Sequence, residues 1–252
     1  MNKVVVITGA SAGIGAATAA LLGERGMKLG LLARRAEALR VVANRCGADA
    51  LTLVGNAADR ADVQRAVGEV LARFGQIDVW INNVGQGITR PPSQLTDEDI
   101  DEIMLLNVKS ALYGMQEILP HFKERGSGHV INVSSMLGRV PFAVIRSAYC
   151  GAKHFLNALT ATFREEVQQT HPGIQFSLVS PPVVRTDFGL NARHGGPDSR
   201  SLPNSQSAEE VAAVVAGVIE SRAPDVYTFP GAQQRVAAYY ASLGVDGAGR
   251  GV

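Results

Sequence analysis

Short runs of β-branched and apolar residues alternate with stretches of helical periodicity along most of the chain. The runs at Lys3–Thr8, Met27–Leu32, Ala50–Val54, Ile77–Asn82, His129–Ser134, Gln175–Ser180 and Asp225–Phe229 predict seven strands, with helices filling the intervals. This alternation is the pattern of stacked βαβ units. It predicts an α/β fold in a single domain over residues 1–243, with about seven strands in a doubly wound parallel sheet flanked by helices on both faces.

Three helices are sharply marked. Gly13–Glu24 is alanine-rich, which lets it pack close to a sheet, and Gly26 stands where a helix C-terminal glycine would. A long helix is expected over Thr96–Lys123, with Thr96, Asp97, Glu98 and Asp99 forming an acidic, cappable start and Pro120 positioned to kink or shorten the end. A second long helix is expected over Ser147–Thr170, stopped by Pro172 and Gly173. The segment Gly189–Ser207 is rich in Gly, Pro, Ser and Asn and reads as a mobile loop, with residues 187–207 a candidate lid. The last nine residues, 244–252, contain four glycines and read as a frayed tail.

Composition narrows the function. The chain has 252 residues, 46% of them apolar and 19% charged, with a formal net charge of +1, so no global field draws it to nucleic acid or to an anionic membrane. Val4–Ile7 is too short for a signal-peptide core, and no other segment is long and apolar enough to cross a bilayer. The two cysteines, Cys46 and Cys150, form no disulfide framework or zinc-binding pair, which points to a reducing cytoplasm. Cys150 has no histidine placed to activate it. The five histidines show no metal-ligand spacing, so no metal is expected, and Asp59, Asp62 and Glu69 read as a solvated helix face.

The first chemical signal is Thr8-Gly9-Ala10-Ser11-Ala12-Gly13-Ile14-Gly15, a glycine-rich turn between a strand and a helix. Gly9 permits the tight turn, Gly13 lets the backbone approach a pyrophosphate, and Gly15 lets the helix lie on the strand while its free N–H groups face the anion. The turn resembles the cofactor turn of classical short-chain dehydrogenases/reductases, and further matches follow in family order. Asn82-Asn83-Val84-Gly85 is similar to the N-N-A-G element, Asn107-Val108 to the N-V of the long helix, and Ser134-Ser135 with Gly138 to S-S-x-x-G. Tyr149 to Lys153 matches Y-x-x-x-K, and Pro181 with Thr186 the P-G-x-x-x-T region. The resemblance runs from Lys3 to Phe188 and implies a Rossmann-type fold.

Tyr149 and Lys153, four residues apart on a helix, share one face. A tyrosine has a pKa of about 10, and an adjacent ammonium favours its phenolate and moves it toward the working range. The resemblance implies that Tyr149 protonates a carbonyl oxygen as hydride arrives from a nicotinamide, that Lys153 also holds the nicotinamide ribose, that Ser135 hydrogen-bonds the substrate oxygen, and that Asn107 holds a water linking Lys153 to solvent. Ser134 is the alternative serine, but only Ser135 stands three before Gly138. The implied cofactor contacts are Gly9, Ser11, Gly13, Ile14 and Gly15 in the turn, Arg34 and Arg35 after the second strand, and Asn56 and Ala57 after the third. Asn83, Val84, Gly85, Tyr149, Lys153, Pro181, Val184 and Thr186 complete the set.

Several positions depart from the family pattern. Ser135 lies fourteen residues before Tyr149, one more than is commonest, so the loop between them must bulge. Val84 replaces alanine, Pro182 replaces glycine, and Asn56 stands where an adenine-binding aspartate is usual. The D-G-G ending of many relatives is missing as well.

The expected function is NADP(H)-dependent interconversion of a carbonyl compound and an alcohol. The alternatives are a protein of the same fold without net redox turnover, of epimerase or dehalogenase type, and a catalytically silent NADP-binding sensor. NADP(H) is expected because Ala33 offers no carboxylate to the adenosine ribose, while Arg34 starts the next loop where a guanidinium can meet a 2′-phosphate. The pocket residues Phe142, Val144, Ile145, Phe188 and Leu190 suggest an apolar substrate body. Apolar residues on more than one face of the long helices, such as Leu105, Leu112, Ile118, Phe155, Leu159 and Phe163, suggest a homodimer or homotetramer.

Overall fold

The computed structural model describes residues 3–47 and 49–244. The expected tail therefore lies, from residue 245 on, outside the described residues. Seven strands, β1 (Val4–Thr8), β2 (Lys28–Ala33), β3 (Ala50–Val54), β4 (Val79–Asn82), β5 (Gly128–Val133), β6 (Ile174–Ser180) and β7 (Asp225–Tyr227), form one sheet in the order β3-β2-β1-β4-β5-β6-β7. Every pairing is parallel. Strand order reverses between β1 and β4, and a crevice opens there at the strands' C-terminal ends, where ligands bind in sheets of this kind.

Helices cover both faces, so the strands are apolar at almost every position. Val5 and Ile7 of β1 pack beneath α1 (Gly13–Glu24), α2 (Ala36–Arg45) and α7 (Ala208–Ser221). Val4 and Val6 pack on the other face against α3 (Arg60–Phe74), α5 (Ser110–Arg125) and α6 (Ser147–Gln168). Trp80, Phe122 and Phe176 are the largest side chains sealed in that second layer. An eighth helix, α8 (Ala232–Leu243), follows the last strand and was not singled out by the sequence pattern.

The long helix expected over Thr96–Lys123 is interrupted. It consists of α4 (Asp97–Met104), a π-helical turn at Leu105–Lys109, and α5, which runs through Pro120 to Arg125. The N-terminus is a complete capping box, with Thr96 Oγ1 accepting from Asp99 N–H and the Asp99 carboxylate accepting from Thr96 N–H.

The expected apolar faces also need correction. Ile118 is fully buried in the second layer, and Leu159 and Phe163 pack against that layer, so none of the three offers a free surface. Phe155 is 51% exposed and Ile100 is 41% exposed. Asp59 and Asp62 are not merely solvated: Asp59 caps α3 by accepting from Ala61 N–H, and Asp62 accepts from Asn56 N–H at 2.8 Å.

Candidate active site

The glycine turn leaves β1 through Gly9 (φ +68°) and enters α1 through Gly13 (φ +53°), both in the left-handed region that a side chain disfavours. Gly15 is needed for a different reason. A Cβ there would stand 2.4 Å from the Gly9 carbonyl oxygen and 2.6 Å from Asn83 Nδ2. Asn83 ties the end of β4 to this turn, its amide donating to the Thr8 and Gly9 carbonyls at 3.3 Å and its backbone N–H to Thr8 Oγ1. No side chain caps α1 at Ala12, so the first N–H groups of the helix are left for an anion, and Gly13 leaves room for one to approach.

The turn opens into one cleft of about 2000 Å³, shared by nearly all the residues expected to form the site. Gly9, Ser11, Gly13, Ile14, Arg34, Arg35, Asn56, Ala57, Asn83, Val84, Gly85, Ser135, Tyr149, Lys153, Pro181, Val184 and Thr186 line it. Gly15 and Asn107 stand behind the lining. Arg34 is exposed at the cleft and forms no ion pair among the described residues, whereas Arg35 donates to Ser11 Oγ at 3.3 Å and so braces the turn. Asn56 is held by its neighbours, its N–H on Asp62 and its Oδ1 accepting from Ala58 N–H.

At the other end of the cleft, Ser135 follows β5 and Tyr149 lies in the first turn of α6. Ser135 Oγ accepts from Leu137 N–H at 3.1 Å, and the Tyr149 hydroxyl stands beside it. Ser134, the alternative serine, is committed elsewhere: its hydroxyl donates to Asn157 Oδ1 at 2.5 Å, and Asn157 Nδ2 donates to the Gly138 carbonyl. Gly138 is required because a Cβ there would come within 2.8 Å of Lys153 Cβ. Lys153 Nζ donates to the Val133 carbonyl at 3.1 Å and lies 5.7 Å from the centre of the Tyr149 ring.

Asn107 sits in the π-helical turn and is fully buried. Its amide donates to the carbonyls of Gln86 and Ile103, both at 2.9 Å, and its Oδ1 accepts from Gln86 N–H. A Cβ at Gly85 would stand 2.9 Å from Asn107 Oδ1 and 3.4 Å from Lys153 Nζ, so this glycine brings the strand end against both.

Burial dominates the electrostatics. It pushes the Tyr149 hydroxyl up to about 12, opposed by the neighbouring Ser135 hydroxyl, and pulls the Lys153 ammonium down to about 8. The expected lowering of the tyrosine by its lysine is therefore not seen, because burial outweighs it. Lys153 is itself desolvated and directs its charge at the Val133 carbonyl. The adjacent Cys150 thiol is raised to about 11 by burial, as suits a passive helix residue.

Sequence reasoning missed how the segment after Thr186 is held. It has little regular structure, but it is pinned by two isolated bridges, Ile88 with Arg193 and Val184 with Gln206. Its Phe188 ring packs edge-on against Tyr149 with centroids 5.5 Å apart. Arg193 and His194 both donate to Asp99, a fully buried carboxylate that also takes Arg90. Asp99 was legible only as a helix cap. Its lid partners Arg193 and His194 are more than 90 residues away, and no local pattern announces them.

The chain is similar in sequence and fold to known proteins. The profile of the short chain dehydrogenase family matches residues 3–195. An uncharacterized oxidoreductase of Staphylococcus saprophyticus is 38% identical over 191 residues, covering 74% of this chain and 76% of that protein. A short chain dehydrogenase/reductase from Burkholderia phymatum, solved in complex with NAD, superposes with a TM-score of 0.88 over 96% of this chain and 94% of its own, at 23% identity. An alcohol dehydrogenase from the archaeon Thermococcus sibiricus, solved with 5-hydroxy-NADP, superposes with a TM-score of 0.78 at 26% identity, over 90% of this chain and 96% of its own. An oxidoreductase relative, this sheet order and one cleft joining a glycine turn to Ser135, Tyr149 and Lys153 lead to one conclusion: the chain belongs to the short-chain dehydrogenase family.

Proposed function

We propose that the protein reduces an aldehyde or ketone to an alcohol, or runs the reverse reaction, with NADP(H) as cofactor. The observation that carries this reading is the junction of Tyr149, Ser135 and Lys153 at one end of a cleft whose other end is the uncapped N-terminus of α1. The bound nicotinamide cofactor supplies the hydride in reduction and accepts it in oxidation. In reduction Tyr149, protonated at neutral pH in its buried setting, gives its proton to the substrate oxygen, while Ser135 holds that oxygen by a hydrogen bond. The carbonyl carbon gains the hydride, the oxygen gains the proton, and the phenolate left behind is stabilised by Lys153 and reprotonated from its side. Both amide hydrogens of Asn107 are committed, so what remains to it is to serve as acceptor for a water between Lys153 and solvent.

The pyrophosphate belongs on the α1 N-terminus beside Ser11, Gly13 and Ile14, the adenine side on Asn56 and Ala57, and the nicotinamide side on Val84, Gly85, Pro181, Val184 and Thr186, with its ribose on Lys153. Arg34 is the residue for a 2′-phosphate, since Ala33 offers no competing carboxylate. Residues 187–207 act as the lid over the substrate, and the exposed Phe155 and Ile100 belong to the contact of a homodimer or homotetramer. The cytoplasm suits the two free, buried cysteines. Incubation with NADPH or NADH and a panel of aldehydes, ketones and quinones tests the reading. Loss of reduced cofactor with at least one carbonyl is expected, and none with any would overturn it.

A further inference from the structure

Arg146 immediately precedes α6, three residues before Tyr149, and both side chains line the cleft. Its guanidinium is held in place rather than waving in solvent. Nη1 donates to the Ile88 carbonyl at 3.0 Å. Two glycines make room for it. A Cβ at Gly87 would lie 2.6 Å from Arg146 Nη1 and 3.1 Å from the Phe188 ring that packs on Tyr149, and a Cβ at Gly196 would lie 2.9 Å from Nη2. The cation is thus fixed between the strand end and the lid, at the substrate end of the cleft.

Arg146 also has no carboxylate partner among the described residues. The nearby acids are taken: Asp99 by Arg90, Arg193 and His194, Glu102 by Arg193, and Asp187 and Asp198 by Arg200. Of the other cations at this end, Arg185 faces Glu210 and Arg235 stacks on the Phe229 ring. Arg146 is half-buried, and its burial opposes its charge. A guanidinium offers five donors, and among the described residues only one of these is used. A cation fixed in place, with unused donors and no counter-charge, is built for an anion that arrives from outside.

We infer that the substrate is an acidic carbonyl compound, with an apolar body and a carboxylate or similar anionic group bound by Arg146 while its carbonyl lies at Tyr149. The apolar part is supplied with Phe142, Ile145 and Phe188, which line the same region. This inference rests on the carbonyl–alcohol reading above and narrows its substrate class. The rival role for Arg146 is a brace alone, joining Ile88 to the lid.

The test uses straight-chain oxo acids with the carbonyl at successive positions, each beside its methyl ester, with the full-length protein and reduced cofactor. Wild type should favour at least one acid over its ester by about 10- to 100-fold in kcat/KM, the range of one charge-assisted hydrogen-bond pair. Arg146→Gln should bring that acid-to-ester ratio down at least 10-fold, whatever happens to the ester's own rate, and Arg146→Lys should keep part of it. Equal use of acid and ester by wild type, or a ratio unchanged in Arg146→Gln, would leave Arg146 as a brace and overturn the inference.

Calorimetry with the corresponding saturated carboxylates and their esters, cofactor present, separates the two levels. Binding of an acid that is lost in Arg146→Gln, with no carbonyl reduced, supports the anion site while the redox reading fails. Turnover of oxo compounds without acid preference sinks the anion site and leaves the redox reading standing.

Discussion

Replacing Asp99 by asparagine should loosen both the fold and the lid. The Asp99 carboxylate is fully buried, and its two oxygens accept from Arg90 Nη1 at 2.8 Å, His194 Nε2 at 2.8 Å, Arg193 Nε and Thr96 N–H. Its partners hold it well below the usual carboxylate range, so it is charged throughout the neutral range. Asparagine keeps the shape and one acceptor but removes the charge, and its NH2 group must point at donors. Removing one member of a buried ion pair costs about 3–5 kcal/mol. Here the arginines are 27–28% exposed and Glu102 still neutralises Arg193, so part of the loss is recovered in solvent and on Glu102. A net cost of about 2–4 kcal/mol remains, or a Tm lower by about 5–15 °C for a chain of this size. Thermal unfolding measures the first effect. Limited proteolysis within residues 187–207 measures the second, because Arg193 and His194 belong to that segment, and cleavage should be faster in Asp99→Asn. A Tm within about 1 °C of wild type, together with unchanged cleavage, would refute the idea that this carboxylate pins the lid.

Three further outcomes are expected. Wild type should bind NADP(H) about 10- to 100-fold more tightly than NAD(H), and Arg34→Asp should erase or reverse that ratio; equal affinities in wild type, or an unchanged ratio in the variant, would remove Arg34 from the 2′-phosphate site. His129 is buried against Ser177 Oγ at 2.8 Å, and burial pushes it down to about 3. An unfolded histidine titrates at about 6.5, so the unfolded state takes up the proton first and stability falls as pH drops below that value. Between about pH 7 and about pH 5 wild type should lose about 2 kcal/mol more than His129→Gln, and parallel urea-unfolding profiles would contradict this. Light scattering at micromolar concentration should give a dimer or tetramer that Phe155→Glu weakens, whereas a monomeric wild type would count against the oligomer.

The fold was legible because each strand is a short apolar run and each helix a periodic one, and because βαβ units allow few arrangements. Gly9, Gly13 and Gly15 were legible because a turn, a close approach and a helix–strand contact each demand glycine at that place. Other features depend on contacts that periodicity does not record. The π-helical turn at Leu105–Lys109 continues a helical pattern without a break in sequence, yet it carries Asn107 to Gln86. Ile118, Leu159 and Phe163 read as a second apolar face, but the second layer of the core is wide enough to absorb them. The lysine beside Tyr149 was expected to lower its pKa, and the spacing was right. Spacing does not reveal that both groups are largely buried, and that burial outweighs their mutual effect.

The central claim is that Tyr149 is the proton donor of a nicotinamide-dependent carbonyl reduction. It is tested most directly by Tyr149→Phe in single-turnover reduction of a carbonyl accepted by wild type, with cofactor binding measured on the same sample. The rate should fall by about 100- to 10,000-fold or more while NADPH affinity stays within a few-fold, because the hydroxyl moves a proton and does not hold the cofactor. Turnover at the wild-type rate in Tyr149→Phe would contradict the mechanism.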